Sequence, residues 1–458
     1  MTKLWGSRFD KETDKAADKF SFSISYDYLL AKYDVLTSIA HTKMLGKCKI
    51  ISHKEANEII SGLKKIEEEI EKGTFHYSPE AEDIHTNIQT ALRKLIGPAA
   101  NKLHTARSRN DLIVTDMKLY CLVELAEIHE KITEYQKAIL KFAERNKHTI
   151  IPAYTHLQAA QVVLLSHYLL AHVEMLERDK QRLFDTIKRT NTMPLGSCAL
   201  SGSSLSTDRH FVAVELGFSS PTENSIDSVS DRDFIIEALA DLSILGTHFS
   251  RLCEDFIIWT TCEFQFIEID GSLCTGSSIM PHKKNPDILE LIRGETAALY
   301  GNLHQILVLM KGLPLTYNRD LQLDKPPLFE SVEKVKAMLP LLTTLFSTLK
   351  VREDVLSKRV EDESFFSVDI MEFLIKKDIS YRDAHDIVGK IVKDCLDKGK
   401  KIADLTDDEL KSFSPALTPD VKKLLNPQMS VKIKKSYGST NPQMVDQQLN
   451  KWMKKLNP

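Results

Sequence analysis

Long segments without glycine or proline are the feature that most constrains the fold of this chain. Neither residue occurs at positions 99–151 or 153–193, and Gly246 alone interrupts positions 222–270. Apolar residues recur at helical spacing through the first segment, at positions 112–142. Because glycine and proline are the residues that most often end a helix, these segments predict helices much longer than the usual dozen or so residues.

We therefore predict an all-α fold with five long helices. Helices of such length imply a bundle that is itself long, or that packs within an assembly. The flanking sequence differs, with shorter helical segments on both sides, and 458 residues are too many for one compact core. The sequence thus predicts three helical domains, at residues 1–108, 109–359 and 360–458. The long helices of the central domain are predicted near residues 109–147, 159–190, 228–262, 287–312 and 328–350.

The flanking segments carry clear helix signals. Ser52 and Glu55 have the spacing of a capping box, and Gly73 follows the charged run EEEIEK, where it is expected to end a helix. Beyond residue 359, helices are expected at residues 367–377 and 382–398.

Composition excludes several classes of protein. The net charge is −3 and the pI is about 6.6, which provides no general attraction to nucleic acid or to an anionic membrane. No apolar run reaches membrane-spanning length. The seven cysteines are odd in number and form no CxxC pair, which is typical of reduced thiols. We expect a cytoplasmic protein that binds neither nucleic acid nor membrane.

The segment at positions 276–287, GSSIMPHKKNPD, carries the most chemical information. Ser277 or Ser278 could accept a proton, Lys283 could stabilise a developing negative charge, and free N–H groups would add positive potential where a helix begins near Pro286. A serine base requires a positive local field and exclusion of water. The alternative is a flexible polar loop with proline in the first turn of a helix.

Three further polar clusters lie next to predicted helices. Residues 107–111 (RSRND) open the first long helix, where Arg109 suits bidentate carboxylate binding and Asp111 is interpreted as a plain charged cap. In YTHLQ (154–158), His156 could donate a proton to a leaving group, although most lone histidines are structural. The stretch YNRDLQLDK (317–325) is either a substrate-facing loop or an exposed turn.

Together these clusters make the chain resemble the argininosuccinate lyases of the fumarase/aspartase superfamily over nearly its whole length. Four residues depart from the family pattern: Ala106 stands where glycine is usual, His282 where glutamine is common, and Gln89 and Ala91 where glutamate and arginine often follow the DIH element. The resemblance is carried by WGSRF (5–9), SISYD (23–27), HTARSRND (104–111), YTHLQ (154–158), MPLGS (193–197), VSDRDF (229–234), GSSIMPHKKNPD (276–287) and YNRDLQLDK (317–325).

The resemblance implies β-elimination of argininosuccinate to arginine and fumarate. In this scheme Ser277 removes the Cβ proton, Lys283 and Asn285 stabilise the aci-carboxylate, and His156, oriented by Glu290, protonates the leaving nitrogen. No metal or organic cofactor is implied. The matching substrate-binding positions are Ser23, Asp27, Arg109, Asn110, Thr155, Asn285, Tyr317, Gln322 and Lys325.

The resemblance also implies a homotetramer whose active sites are shared between subunits. Helix length supports sharing independently, because Arg109 and His156 would lie roughly 55 Å apart if the first two long helices were antiparallel. Two alternatives remain: an adenylosuccinate lyase or aspartase, and an inactive helical structural protein such as the δ-crystallins of this family. The Tyr317–Lys325 stretch argues against the first alternative, and the presence of Ser277 and His156 argues against the second.

Overall fold

The structure is a computed structural model that describes residues 13–456, so the WGSRF motif at residues 5–9 lies outside the described residues. Helices account for most of this range, in agreement with the predicted all-α fold. They are Lys15–Ser21 (α1), Ile24–Asp27 (α2), Ala31–Lys47 (α3), His53–Glu71 (α4), Ile84–Ile96 (α5), Arg109–Arg145 (α6), Leu165–Thr190 (α7), Arg209–Glu215 (α8), Ser225–Ser230 (α9), Asp233–Thr260 (α10), Asp287–Met310 (α11), Lys325–Thr348 (α12), Glu353–Arg359 (α13), Ser367–Ile375 (α14), Tyr381–Lys398 (α15), Asp407–Phe413 (α16), Pro427–Lys432 (α17) and Pro442–Leu456 (α18).

Short 3₁₀ helices and strands connect these helices. The 3₁₀ helices are Tyr28–Leu30, Gly97–His104, Gly271–Leu273, Arg319–Asp324, Glu363–Phe366, Ile402–Asp404 and Pro419–Leu424. The strands pair as two-stranded ribbons, β1 with β2, β3 with β4, β5 with β8 and β6 with β7. Their bounds are Ile150–Thr155 (β1), Gln158–Leu164 (β2), Thr192–Met193 (β3), Ser220–Pro221 (β4), Ile267–Glu268 (β5), Thr275–Gly276 (β6), Lys284–Asn285 (β7) and Lys350–Val351 (β8).

The five predicted long helices are confirmed as α6, α7, α10, α11 and α12. Gly246, within α10, has a packing role, since a Cβ atom there would lie 2.6 Å from the Leu299 side chain. A glycine at this point lets α10 and α11 approach closely without ending the helix. The capping box of Ser52 and Glu55 is also present at the start of α4.

The start of the second long helix was predicted wrongly. Helix α7 begins at Leu165 rather than near residue 159, because Gln158–Leu164 pairs with Ile150–Thr155 as an antiparallel hairpin. The β-branched residues of this segment favour a strand, and pairing with a neighbour overrides the helical spacing. His156 and Leu157 form the two-residue turn, with φ values of 55° and 57°. Two successive positive φ values are typical of a type I′ hairpin turn.

The chain forms two compact units. The first comprises the residues up to Glu130, Asp179–Gly246 and Glu295–Lys336, and the second comprises Lys131–Arg178, Thr247–Gly294 and the residues from Ala337 onward. The three-domain division made from sequence stays a prediction. None of the helices within the described range combines the length and apolar character that a membrane span requires.

Each unit has its own buried core. In the first, Tyr120 packs edge-on against Phe329, with ring centroids 4.7 Å apart. In the second, Tyr135 contacts both Phe249 and Phe346, at 6.1 and 5.9 Å between centroids. A further cluster of the second unit, built on α14 and α15, also takes in buried residues of α16 and of the segments on either side of it. The helices predicted near 367–377 and 382–398 are thus confirmed.

Candidate active site

A cavity of about 210 Å³ in the first unit brings together seven of the nine predicted substrate-binding residues. They come from three distant parts of the chain: the segment around α2, the start of α6 and the 3₁₀ helix that leads into α12. Only the tertiary structure places these segments side by side. The seven residues are Ser23, Asp27, Arg109, Asn110, Tyr317, Gln322 and Lys325.

Asp27 is a buried carboxylate on one wall of this cavity. The Ser23 hydroxyl donates to its Oδ2 at 2.6 Å, and the Ile84 backbone N–H donates to its Oδ1 at 3.1 Å. Only 2% of Asp27 is exposed. Burial raises the pKa of its carboxyl to about 6, although the positive charge of His85 opposes this shift. At neutral pH, Asp27 is therefore a negative group suited to a substrate ammonium.

Arg109 begins α6, and acidic residues of the same unit fix its guanidinium. Nη1 lies 2.9 Å from the Asp83 carboxylate and 3.2 Å from that of Glu82. Nη2 donates to the Thr86 hydroxyl at 2.9 Å. These contacts orient the guanidinium, and among the described residues no hydrogen bond engages its Nε, which can donate to a ligand.

Residues next to Arg109 tie the start of α6 to a neighbouring loop. The Asn110 side chain donates to the Ala199 carbonyl at 3.2 Å. Asp111 accepts from the Ser108 backbone N–H at 3.0 Å, as a cap would, but it is fully buried and also accepts from Gly196 and Cys198. Its interpretation as a plain charged cap is therefore incomplete.

The 3₁₀ helix Arg319–Asp324 forms the opposite wall. Gln322 and Arg319 both donate to the Ser21 carbonyl, at 3.0 and 2.8 Å, and Arg319 also pairs with Glu82 at 2.9 Å. Lys325 is 3% exposed and donates to Asp324 at 3.0 Å. The cavity therefore combines anionic and cationic side chains, as binding of a zwitterion requires.

Beneath the cavity, His85 contacts two buried aspartates, Asp34 and Asp116. These three side chains are close enough to hold a metal ion. The imidazole instead forms a hydrogen bond with Asp34. Burial alone would lower the pKa of His85, but the charge and hydrogen bond of Asp34 raise it to about 9. The hydrogen bond with Asp34 therefore favours the protonated form of His85, which also lines the cavity, whereas Asp116 Oδ2 has no hydrogen-bond partner among the described residues.

The second unit carries the predicted proton-transfer loop. Strands β6 and β7 pair at its base, with Gly276 opposite Lys284 and Thr275 opposite Asn285. The Ser277 Oγ accepts hydrogen bonds from the backbone N–H groups of Ile279 at 3.3 Å and Met280 at 3.1 Å. Lys283 is exposed and Asn285 is half-buried. Helix α11 begins at Asp287, so Pro286 precedes the helix rather than lying in its first turn.

The remaining predicted residues also belong to the second unit. Thr155 and His156 lie at the tip of the β1–β2 hairpin and are exposed. Glu290 lies in the first turn of α11 and is exposed as well. Among the contacts of the described residues, no hydrogen bond or ion pair joins His156 to Glu290. The pairing of His156 with Glu290 stays a prediction.

Comparison with known proteins identifies the family. A family described as Lyase matches residues 7–301, and one described as Argininosuccinate lyase C-terminal matches residues 366–432. The argininosuccinate lyase of Syntrophus aciditrophicus (strain SB) is 47% identical over 98% of this chain and 95% of its own length. That of Bacillus velezensis is 44% identical over 98% of both chains. The chain belongs to the argininosuccinate lyase family. It is therefore an enzyme, a lyase.

Solved structures agree with this assignment. A crystal structure of EDDS lyase in complex with formate matches with a TM-score of 0.85 and 26% identity, over 97% of this chain and 90% of that one. The class II fumarase of Schistosoma mansoni matches with a TM-score of 0.74 and 16% identity, over 90% of this chain and 93% of that one. The second match concerns the fold alone.

The structure shows the surroundings of two residues that were predicted from the sequence to depart from the family pattern, Ala106 and Gln89. Ala106 has a φ of 56°, in the left-handed region that favours glycine. Cys198, with a φ of 54°, places its thiol 3.4 Å from the Ala106 carbonyl. The Gln89 side chain forms a hydrogen bond with His104. The substituted residues thus lie in the segments that lead to Arg109, and the cavity is nevertheless assembled.

Five other residues lining the cavity were not predicted as site residues from the sequence: Glu82, Asp83, His85, Ile113 and Arg319. Asp83 and His85 belong to the DIH element, and Arg319 lies inside the YNRDLQLDK stretch. These motifs were recognised, but nothing in them indicates which members face the cavity. Glu82 carries no sequence signal beyond its position next to Asp83.

Proposed function

We propose that this lyase splits argininosuccinate into arginine and fumarate by reversible β-elimination. The observation that carries the proposal is the cavity of the first unit, where the family positions for the amino acid end of the substrate meet. Asp27 is placed to accept an ammonium group, and Lys325 and Arg109 can bind carboxylates. In the reaction the Cβ–H bond breaks, a C=C bond forms, and the Cα–N bond breaks to release the guanidino nitrogen of arginine.

Ser277 is the proposed base that removes the Cβ proton. An ordinary serine is too weak for this role, so its alkoxide requires stabilisation. The backbone N–H groups of Ile279 and Met280 already point at Oγ and would stabilise the negative charge. No comparable contact distinguishes Ser278 among the hydrogen bonds of the described residues. This difference favours Ser277 over its neighbour.

Lys283 and Asn285 are proposed to stabilise the intermediate. Removal of the Cβ proton moves charge into the adjacent carboxylate, which becomes an aci-carboxylate dianion. An ammonium group and an amide donor at the end of the same loop supply the positive potential that this dianion needs. One preorganised donor in such a role is worth about 3 kcal/mol.

His156 is the proposed general acid. Protonation of the departing guanidino nitrogen lets the C–N bond break without forming a poor anionic leaving group. A position on a hairpin tip suits a residue that must reach into a site, and Thr155 next to it is proposed to bind a substrate carboxylate. Glu290 is proposed to orient His156.

We further propose that each site is shared between subunits of a homotetramer. Helix α6 has 37 residues and is about 55 Å long, with Arg109 as its first residue. After it, the Asn146 and Thr149 N–H groups bond back to Phe142 and Asn146, so the chain turns rather than extends. Strand β1 then has six residues and covers only about 20 Å. This strand is much shorter than α6, which supports the proposal that a site takes Arg109 and His156 from different subunits.

The surface of α11 supports self-association. Tyr300, Leu307 and Val308 are 46%, 46% and 49% exposed, and Gly301 lies between them on the same exposed stripe. An apolar stripe with a small residue favours close packing against another helix. The long helices would then form the core of the tetramer, in the central of three domains at 1–108, 109–359 and 360–458.

The proposed reaction involves proton transfers between side chains and substrate, and it takes neither a metal nor an organic cofactor. We place it in the cytoplasm, where reduced cysteines are typical. The partners proposed are the small-molecule substrate and further copies of this chain, with no nucleic acid or membrane.

The test is incubation of the purified protein with argininosuccinate, adenylosuccinate and aspartate in parallel, with fumarate followed by ultraviolet absorbance. We expect fumarate from argininosuccinate at a rate far above the other two. Faster release from adenylosuccinate would contradict the substrate assignment. Absence of release from every substrate would favour a structural protein. His156→Asn should lose most of the activity, because leaving-group departure becomes slow.

A further inference from the structure

Three charged side chains next to the cavity form a buried network. Arg232 is 1% exposed, Asp324 is fully buried and Lys325 is 3% exposed. Only Lys325 lines the cavity. Charges are rarely buried to this degree without a partner, since removal from water costs several kcal/mol for each ion.

Asp324 divides its two oxygens between the two cations. Arg232 Nε donates to Oδ2, and Lys325 Nζ donates to Oδ1 at 3.0 Å. Arg232 Nη1 is held by the Asp231 and Val229 carbonyls, at 2.8 and 3.4 Å. Arg232 Nη2 is buried and has no hydrogen-bond partner within the described chain. Arginine–carboxylate pairs are often bidentate, whereas Arg232 donates to Asp324 through Nε alone.

The charges of this network do not cancel. Asp324 alone would neutralise Lys325. With Arg232 included, the group of two cations and one anion keeps one positive charge, and Lys325 is the member that lines the cavity. Asp27 lines the same cavity as Lys325, so the two side chains can take the ammonium and the carboxylate of one zwitterion.

We propose that Asp324 and Arg232 are positioning residues that fix Lys325 Nζ at the cavity and preserve one net positive charge for the α-carboxylate of the arginine portion of the substrate. This inference rests on the proposed function and deepens it. Asp324 holds the ammonium in one place. Arg232 supplies the compensating charge and touches no substrate atom.

The decisive variants change the charge of the network in steps. Arg232→Gln lowers the net charge of the network from +1 to 0. The double variant Arg232→Gln/Asp324→Asn restores the net charge of +1 but removes the carboxylate that holds Lys325 in place. The matched control is Asp320→Asn, an exposed aspartate on the same 3₁₀ helix. Arg232→Gln keeps the Asp324–Lys325 ion pair, whereas the double variant leaves Lys325 buried without an anionic partner and is expected to be the less stable of the two. Circular dichroism and thermal unfolding check the fold of each protein.

The readout is the reverse reaction, synthesis of argininosuccinate from arginine and fumarate. In Arg232→Gln we expect the KM for arginine to rise about tenfold, the effect of one charged hydrogen bond, with the KM for fumarate within about twofold of wild type. The double variant should recover part of this loss. Inhibition by agmatine, which is arginine without its carboxylate, should not change in any variant.

Each result is decisive. A folded Arg232→Gln protein with an unchanged arginine KM would overturn the inference, as would a double variant that binds arginine no better than the single one. A purely structural role predicts the second outcome, together with equal losses for arginine, fumarate and agmatine. A wild-type protein that makes no argininosuccinate would contradict the proposed function itself, which separates the two failures.

Discussion

Replacing each of the two adjacent loop serines with alanine tests the proposed chemistry most directly. Ser277 Oγ accepts two backbone N–H bonds, at 3.1 and 3.3 Å, and Ser278 lies beside it on the same exposed loop. The two variants are well matched, because each removes one hydroxyl group and the two positions are adjacent. We expect Ser277→Ala to abolish turnover and Ser278→Ala to keep activity within about threefold of wild type.

The size of the effect follows from the contacts. A positioned base contributes about 10²–10⁴-fold to proton transfer. A loss of about 10³-fold or more in kcat is therefore expected for Ser277→Ala, equivalent to about 4 kcal/mol. The folding cost should stay below about 0.5 kcal/mol, because the lost bonds lie in a solvent-accessible loop. The variant should thus unfold at nearly the wild-type temperature and still bind substrate.

Fumarate absorbance gives the rates, calorimetry gives substrate affinity, and thermal unfolding gives stability. Near-normal turnover in Ser277→Ala would refute the assignment of the base and make Ser278 or His156 the candidate. Equal losses in both alanine variants would show that the whole loop, rather than one polarised hydroxyl, is needed.

Three other predictions address binding and assembly. Arg109→Lys should lower kcat/KM by about 10- to 100-fold although the charge is kept, because a lysine cannot contact both Asp83 and Thr86 while it binds a carboxylate. Full activity in the fumarate assay would contradict a binding role for the guanidinium. The pKa of Asp27 is raised to about 6, so its carboxylate is charged above this pH, and kcat/KM should fall as the pH decreases through about 6. Asp27→Asn should be weakly active and should show no such step in its pH profile. If the step persists in this variant, the titrating group is not Asp27. Mixing equal amounts of separately inactive Arg109 and His156 variants should restore about one quarter of wild-type activity after subunit exchange, because a shared site needs one intact residue from each of two chains. If no activity returns despite demonstrated exchange, each chain carries a complete site.

The sequence by itself determined the helical character of this protein and the position of its long helices. Segments free of glycine and proline with helical spacing specify a helix locally, so α6, α10, α11 and α12 begin and end within a few residues of their predicted bounds. The capping box at Ser52 is equally local. The motifs at residues 104–111, 276–287 and 317–325 also identified the family, because they consist of particular residue types at fixed spacing.

Only the tertiary structure decided features that depend on distant partners. The β1–β2 hairpin replaced the start of a predicted helix because strand pairing is a property of two segments rather than one. Ser23 and Asp27 lie almost 300 residues from Tyr317 in the sequence, and no local sequence pattern indicates that they line the same cavity. The same is true of the network of Arg232, Asp324 and Lys325. Charge pairing in a buried environment depends on which side chains meet there, and that is settled by packing rather than by sequence order.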